Sequence, residues 1–397
     1  MFEIGRLLVR DEYIGPVRDI LAALGRMPSI DQGTPPFAES VVSGIRLVRL
    51  GVNTAEGTLE TLQLILDGLP DDPDVVRERY ANVQPFDGLG PGAASLNHVV
   101  HIAGEGGICP AVEPDPVSAG SAPDPGYTSN RCGGEGVKVV ILDTGLDTTA
   151  ERRSPWLKGV TGDADDKIDR NTGTLSEYAG HGTFIAGLVR SVAPRAEVYV
   201  RAVFNFGGGV LEADLVRSLN RALDCDHPDI ISMSAGSYTF DATGLLSFLV
   251  FNERRLRHYK GVALVVAAGN DADREPFWPA AAPYTVSVGA LASTRRGRAG
   301  FSNFGGWVDV YAPGQDLVNA FPEGSYTYRE PPRQGSQTTF HGMARWSGTS
   351  FGTPIVAGLI AARMSETGEN GRDAAAALLA RARTQAQPGV GAVLLPE

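Results

Sequence analysis

The sequence predicts an α/β protein: a doubly wound, mostly parallel sheet between helices, preceded by a small α+β region at the amino end. Two observations predict the sheet. Five short apolar runs rich in β-branched residues recur from Val137 onward: VKVVIL (137–142), EVYVRAV (197–203), DIISMS (229–234), VALVVA (262–267) and YTVSVGA (284–290). Runs without polar alternation are what a strand covered on both faces needs. Segments with helical spacing lie between and after them: HGTFIAGLVRS, LEADLVRSLNRALD, LLSFLVFNERRLRHY, and a long final helix starting near Ser350 and running through TPIVAGLIAARM. Strand–helix alternation of this kind builds a parallel sheet whose ligands bind at the carboxyl ends of the strands.

A third observation is the different rhythm of the amino-terminal part. Residues 1–30 read as one or two amphipathic helices ending near Gly25. VVSGIRLVRL (41–50) reads as a strand, TAEGTLETLQLILDGL (54–69) as a helix with i, i+4 apolar spacing, and LNHVVHIA (96–103) as another strand. DDP and QPFDGLGPG interrupt this region. Residues 1–103 thus form an α+β region. Residues 104–136 carry five prolines and little apolar clustering, and read as an irregular, mobile linker containing the domain boundary. Residues 137–397 form the α/β domain.

Composition narrows the function. The chain of 397 residues is 43% apolar and 20% charged, enough to bury a sizeable core. Its 35 Lys+Arg against 46 Asp+Glu leave a net charge of −11, which argues against nucleic acid and anionic membranes as partners. Glycine, at 49 residues, exceeds the usual ~7% without a collagen period, so tight turns and close backbone approaches are expected. Cys109, Cys132 and Cys225 are too few for a disulfide scaffold, and Cys225 reads as a small buried apolar residue within a helical pattern. The amino end lacks the continuous apolar stretch of a signal peptide, and no stretch is long enough to span a bilayer, so a cytoplasmic protein is expected.

Four residues carry the chemistry. Asp143 ends the first strand of the α/β domain in VVILDTGLD; His181 opens a helix in GHGTFIAG; Ser350 lies at a helix N-terminus in WSGTSFGTP; Asn270 follows a buried strand in VVAAGND. Taken singly, these are a strand-end turn residue, a packed histidine, a capping serine and a loop amide. Taken together, they supply what nucleophilic hydrolysis needs: a hydroxyl, a base, a carboxylate to orient that base, and a donor for an oxyanion.

These segments resemble the subtilisin-like serine peptidases, the subtilases. The resemblance rests on DTGLD, HGTFIAG, AAGN and GTSFGTP, in family order over about residues 137–383. It implies an acyl-enzyme peptidase in which Ser350 attacks the scissile carbonyl and His181 moves the proton. Asp143 fixes the imidazole tautomer, and Asn270 with the Ser350 N–H stabilises the oxyanion. It also implies a peptide or protein substrate bound as an extended strand between Ser234-Ala235-Gly236 on one side and Phe206-Gly207-Gly208-Gly209 on the other, with Ala267-Ala268-Gly269 as the floor of the P1 pocket. Phe277, beside WPAAAPY (278–284), would shorten that pocket, whereas Asp271, Asp273 and Glu275 would attract a basic residue. These two cues oppose each other and leave the P1 preference open.

Catalysis of this kind needs no cofactor and no metal. The loop that often helps hold a structural calcium in the family has no counterpart in HGTFIAGLVRSVAPRAEVYV, and the acidic run Asp163, Asp165, Asp166, Asp169 lacks calcium-loop spacing and reads as a solvated, substrate-facing loop. Phe184 stands where the family often has a second histidine, outside the triad. The resemblance casts residues 1–103 as a propeptide-like or permanent regulatory region, with LNHVVHIA as a strand that blocks the site, making the chain's own N-terminal region an intramolecular inhibitor. A serine endopeptidase, either a selective maturation enzyme or a general degradative one, is the leading expectation; a peptide-binding module on a retired peptidase scaffold is the alternative.

Overall fold

A computed structural model describes residues 1–28, 37, 39–102, 112–118, 120–126, 128, 130–205, 207–240 and 243–396. The chain divides into two compact units. The first comprises Met1–Val99, Leu211–Asn220 and Thr239–His258; the second comprises Val100–Val210, Arg221–Tyr238 and Tyr259–Glu397.

In the first unit, the strands Ala94–His101, Phe2–Arg10, Ile45–Arg49 and Glu39–Val42 lie side by side in that order, with antiparallel pairing. Helix Ala55–Asp67 begins at Thr54, whose hydroxyl caps Gly57 N at 3.1 Å. Leu7, Val9, Val17, Leu21, Val48, Leu62, Ile65 and Leu96 form the core. Residues 2–10 depart from the helical reading. Leu7, Leu8 and Val9 pair with a strand on each side, and that double ladder outweighs local helical spacing; the helix starts only at Ile14. The single strand read over 41–50 is a hairpin, because Gly44 turns the chain at φ +101°. Asp72 caps a further short helix, Pro73–Arg79, where DDP reads as an interruption. Helices Glu212–Arg221 and Leu246–Arg254 also belong to this unit. The fully buried Glu212 accepts hydrogen bonds from Ser247 N and Oγ, both at 2.7 Å, and meets His98 Nδ1 at 3.2 Å.

The second unit is built on seven strands in the order 310–313, 286–291, 263–267, 230–233, 138–143, 197–202, 161–162. Every pairing between them is parallel. All five predicted runs are strands of this sheet; Val310–Pro313 and Thr161–Gly162 are too short to stand out in sequence. Strand order reverses on either side of Lys138–Asp143, which makes the carboxyl end of that strand, at Asp143, a topological switch point. Helices His181–Val192 and Thr349–Thr367 pack together over the sheet through Phe184, Leu188, Val192, Phe351 and Ile355.

A long antiparallel hairpin, Leu317–Thr327 with Gln337–Trp346, joins the last sheet strand to the Ser350 helix. Its polar, Pro- and Gly-containing sequence hides it from periodicity. The described part of the Gly/Pro-rich segment is irregular but held in place: Asp115–Pro116 pairs with the hairpin, and the buried Glu113 accepts from Tyr326 Oη and from the N–H groups of Arg329 and Glu330. Asp124 exchanges backbone bonds with Val318, and Gly134 N donates to Ser365 Oγ. Cys225 is exposed, not buried, as is Cys132; Cys109 lies outside the described residues. Among the described residues no helix is long and apolar enough to cross a membrane.

Candidate active site

Asp143 sits at the switch point with no exposed surface, its carboxylate steadied by Thr144 N at 2.8 Å. His181 Nδ1–H points between its two oxygens, at 2.8 and 2.9 Å. This contact places the proton on Nδ1 and leaves the Nε2 lone pair free to act as a base. Glycines permit the approach. A Cβ on Gly182 would stand 2.3 Å from Gly145 O and 3.2 Å from Asp143 Oδ1, so any side chain there would push the histidine helix off the strand end. Gly180, at φ +79°, turns the chain into that helix. The rings of Trp346 and Phe351 pack against the imidazole, with centroids 5.3 and 5.4 Å away, and against each other at 5.2 Å.

Phe351 brings Ser350 to the same place. Ser350 is in the first turn of helix Thr349–Thr367, where unpaired backbone N–H groups and the helix dipole favour developing negative charge. Like Asp143 and His181, it has no exposed surface. Ser350 Oγ and His181 Nε2 have no hydrogen-bond partner among the described residues, so the seryl proton is not yet shared with the base. Contacts of this kind commonly tighten only in the substrate complex.

Asn270 follows the strand Ala263–Ala267. Its side-chain oxygen accepts from Thr349 N and Thr349 Oγ1 at 2.8 and 2.9 Å, and that same hydroxyl accepts from Gly269 N at 3.2 Å. With its oxygen held by Thr349, the amide keeps its NH₂ group as the donor that an oxyanion site requires. Thr349 is the residue that motif reading missed; its only signal is its place next to the serine.

The segments expected to wall the substrate are tied by backbone bonds to residues 101–102. Gly236 forms an antiparallel bridge with His101: His101 N donates to Gly236 O at 2.9 Å and Gly236 N to His101 O at 3.0 Å. Ile102 N donates to Gly208 O at 3.0 Å. Asn205 stitches the glycine loop, its side-chain oxygen accepting from Gly207 N and Gly209 N. Phe206 lies outside the described residues. Ser234, Ala235, Ala267, Ala268 and Gly269 are all buried; Ser234 Oγ and Gly269 N bond the first turn of the serine helix, and Ala268 O accepts from Asn303.

The acidic run differs from its solvated reading. Asp165 is 3% exposed, accepting from Gly180 N at 2.7 Å and Lys167 N at 3.0 Å. Burial, together with the nearby Asp143 charge, pushes its carboxyl up to about 6, against those two donors and the Lys167 ammonium. Asp163 accepts from Ala202 N and Tyr199 Oη. Only Asp166 and Asp169 face solvent, and a buried Lys167 bridges Asp166 to Phe204 O. Sequence hides this loop's role because its anchoring partners lie far along the chain. Among the described residues no group of three or more His, Cys, Asp or Glu is placed to hold a metal ion.

The profile of the subtilase family (peptidase S8) matches residues 134–392. The chain belongs to the subtilase family. A subtilisin-like protease of Coccidioides posadasii is 31% identical over 246 residues, covering 59% of this chain and 53% of that protein. A thermophilic serine proteinase of Bacillus sp. (strain AK1) is 30% identical over 249 residues, covering 60% and 54%. This subtilase therefore spans about half the length of the curated relatives it matches. Among solved structures, a variant of the protease domain of PatA superposes with a TM-score of 0.50 at 26% identity, over 67% of this chain and 94% of that one.

Proposed function

We propose that this subtilase is a serine endopeptidase that hydrolyses peptide bonds through an acyl-enzyme on Ser350. The observation that carries the reading is the buried Asp143–His181 pair, at 2.8 and 2.9 Å, beside the N-terminus of the Ser350 helix. His181 Nε2 takes the seryl proton as Ser350 Oγ attacks the carbonyl, then returns it to the leaving amine. Asp143 holds the tautomer and stabilises the imidazolium, while Asn270 Nδ2 and the Ser350 N–H receive the oxyanion. None of these steps calls for a cofactor or a metal.

The chain's own N-terminal region acts in this reading as an intramolecular inhibitor. His101 and Ile102 make to Gly236 and Gly208 the main-chain bonds an extended peptide substrate would make, and all three triad residues are buried. Such self-blocking suits a selective maturation peptidase working in the cytoplasm, where unrestrained proteolysis is harmful; that is the finer form of the proposal. The test is hydrolysis of unfolded casein by the full chain and by Ser350→Ala, with the amino termini of all products sequenced. Cleavage by the wild type alone supports the reading. Equal behaviour of the two proteins removes it.

A further inference from the structure

The bridge between His101 and Gly236 sets a register for any extended guest strand. In an antiparallel ladder, the guest position two residues after the one facing Gly236 faces Ser234. Ser234 Oγ is bonded to the carbonyl of Ser350 at 2.9 Å, so that guest residue lies beside the first turn of the serine helix, where an acyl donor has to sit. Its backbone is flanked by Ser234–Gly236 on one side and by Ala267–Asn270 on the other, and its side chain has the gap between these two walls to enter.

That gap is filled by the ring of Phe277, which is 2% exposed. A Cβ on Gly236 would come 2.2 Å from Phe277 Cε1, and one on Gly269 would come 3.0 Å from Cδ1, so the ring lies against the bare Cα of both walls. Tyr238 fixes it from behind in an edge-on contact, with centroids 5.1 Å apart. The nearby acids do not compete for the gap. Asp271 accepts from Tyr238 Oη at 3.0 Å, Asp273 caps the N–H groups of Arg274 and Glu275, and Asp271, Asp273 and Glu275 are all exposed.

Resting on the peptidase reading of the same site, we propose that Phe277 restricts the acyl-donor residue of the substrate to glycine, alanine or serine, and so makes this a small-residue-specific peptidase. A ring of that size removes the volume that a leucine, phenylalanine or lysine side chain needs, and overlap in a packed pocket is not tolerated.

The test is a digest of a denatured proteome by the full chain, with the residue before each cut read by mass spectrometry, for the wild type and for Phe277→Gly. The wild type is expected to cut after Gly, Ala and Ser about tenfold or more above Leu, Phe, Tyr, Lys and Arg, within the range a pocket's size selection provides. Phe277→Gly is expected to move the cuts toward Leu, Met and Phe. Equal or greater cutting after large or basic residues by the wild type overturns the proposal, as does an unchanged preference in a folded Phe277→Gly. If that variant fails to fold, the wild-type preference decides alone. A protein that a fluorophosphonate labels at Ser350 but that shows no size preference sinks this proposal only; one that neither labels nor cuts sinks the peptidase reading and this proposal together.

Discussion

Ser234 Oγ donates a 2.9 Å hydrogen bond to the backbone carbonyl of Ser350. The reason lies four residues further on. Pro354 sits inside the serine helix without an N–H, so the carbonyl of Ser350 has no helical donor, and the buried Ser234 hydroxyl supplies one. One bond thus joins the Ser234–Gly236 segment to the first turn that carries the serine.

Removing that hydroxyl should be costly. Ser234→Ala leaves a buried carbonyl unpaired, and unfolding by denaturant should show a loss of about 1–3 kcal/mol, with a lower kcat. In a Pro354→Ala background the helix regains its own N–H, so the same Ser234→Ala change should cost less. A double-mutant cycle measures the difference.

Asp165 links stability to pH. Its folded-state pKa is raised to about 6, so the folded protein holds that proton more tightly than the unfolded chain does. The resulting stabilisation is fully present below the ordinary carboxyl range near 4 and fades as pH rises to 6. Asp165→Asn keeps an oxygen for Gly180 N and removes the ionisation. Thermal unfolding between pH 4 and 7 should therefore show a smaller decline with rising pH for Asp165→Asn than for the wild type.

The Asn270 amide, as the proposed oxyanion donor, should act on the chemical step. Asn270→Leu removes the side-chain donor, and kcat on a peptide substrate should fall about 10²–10³-fold with little change in KM, the range found when subtilisin loses its single oxyanion amide. Thr349→Val keeps the backbone donor to Asn270 but loses the hydroxyl between Asn270 and Gly269, so a smaller fall in kcat is expected.

The proposed self-inhibition rests on the backbone bond of Ile102 to Gly208. Ile102→Pro removes that N–H. The full-length variant should hydrolyse a short peptide faster than the wild type in initial-rate assays, before any processing accumulates.

Much of this was legible in sequence for a physical reason. The buried strands 138–143, 230–233, 263–267 and 286–291 have no polar face, strand 197–202 stands out by its β-branched residues although Glu197, Tyr199 and Arg201 give it a polar one, and Asp143, His181, Asn270 and Ser350 each stand at an element boundary marked by glycine. What escaped depends on distant partners. Phe2–Arg10 is a strand only because it is paired on both sides, Asp165 is buried only because Gly180 and Lys167 enclose it, and the 317–346 hairpin carries polar turns that resemble a loop. Thr349 acts through its bonds with Asn270 and Gly269, and Ser234 through its bond to the Ser350 carbonyl, contacts between distant residues that no spacing rule encodes.

The most direct measurement is covalent: treat the full chain with a fluorophosphonate, digest it, and locate the adduct by mass spectrometry. The account predicts one adduct, on Ser350, absent in Ser350→Ala and strongly slowed in His181→Ala. An adduct on another serine, or labelling at Ser350 that is indifferent to His181, would contradict it.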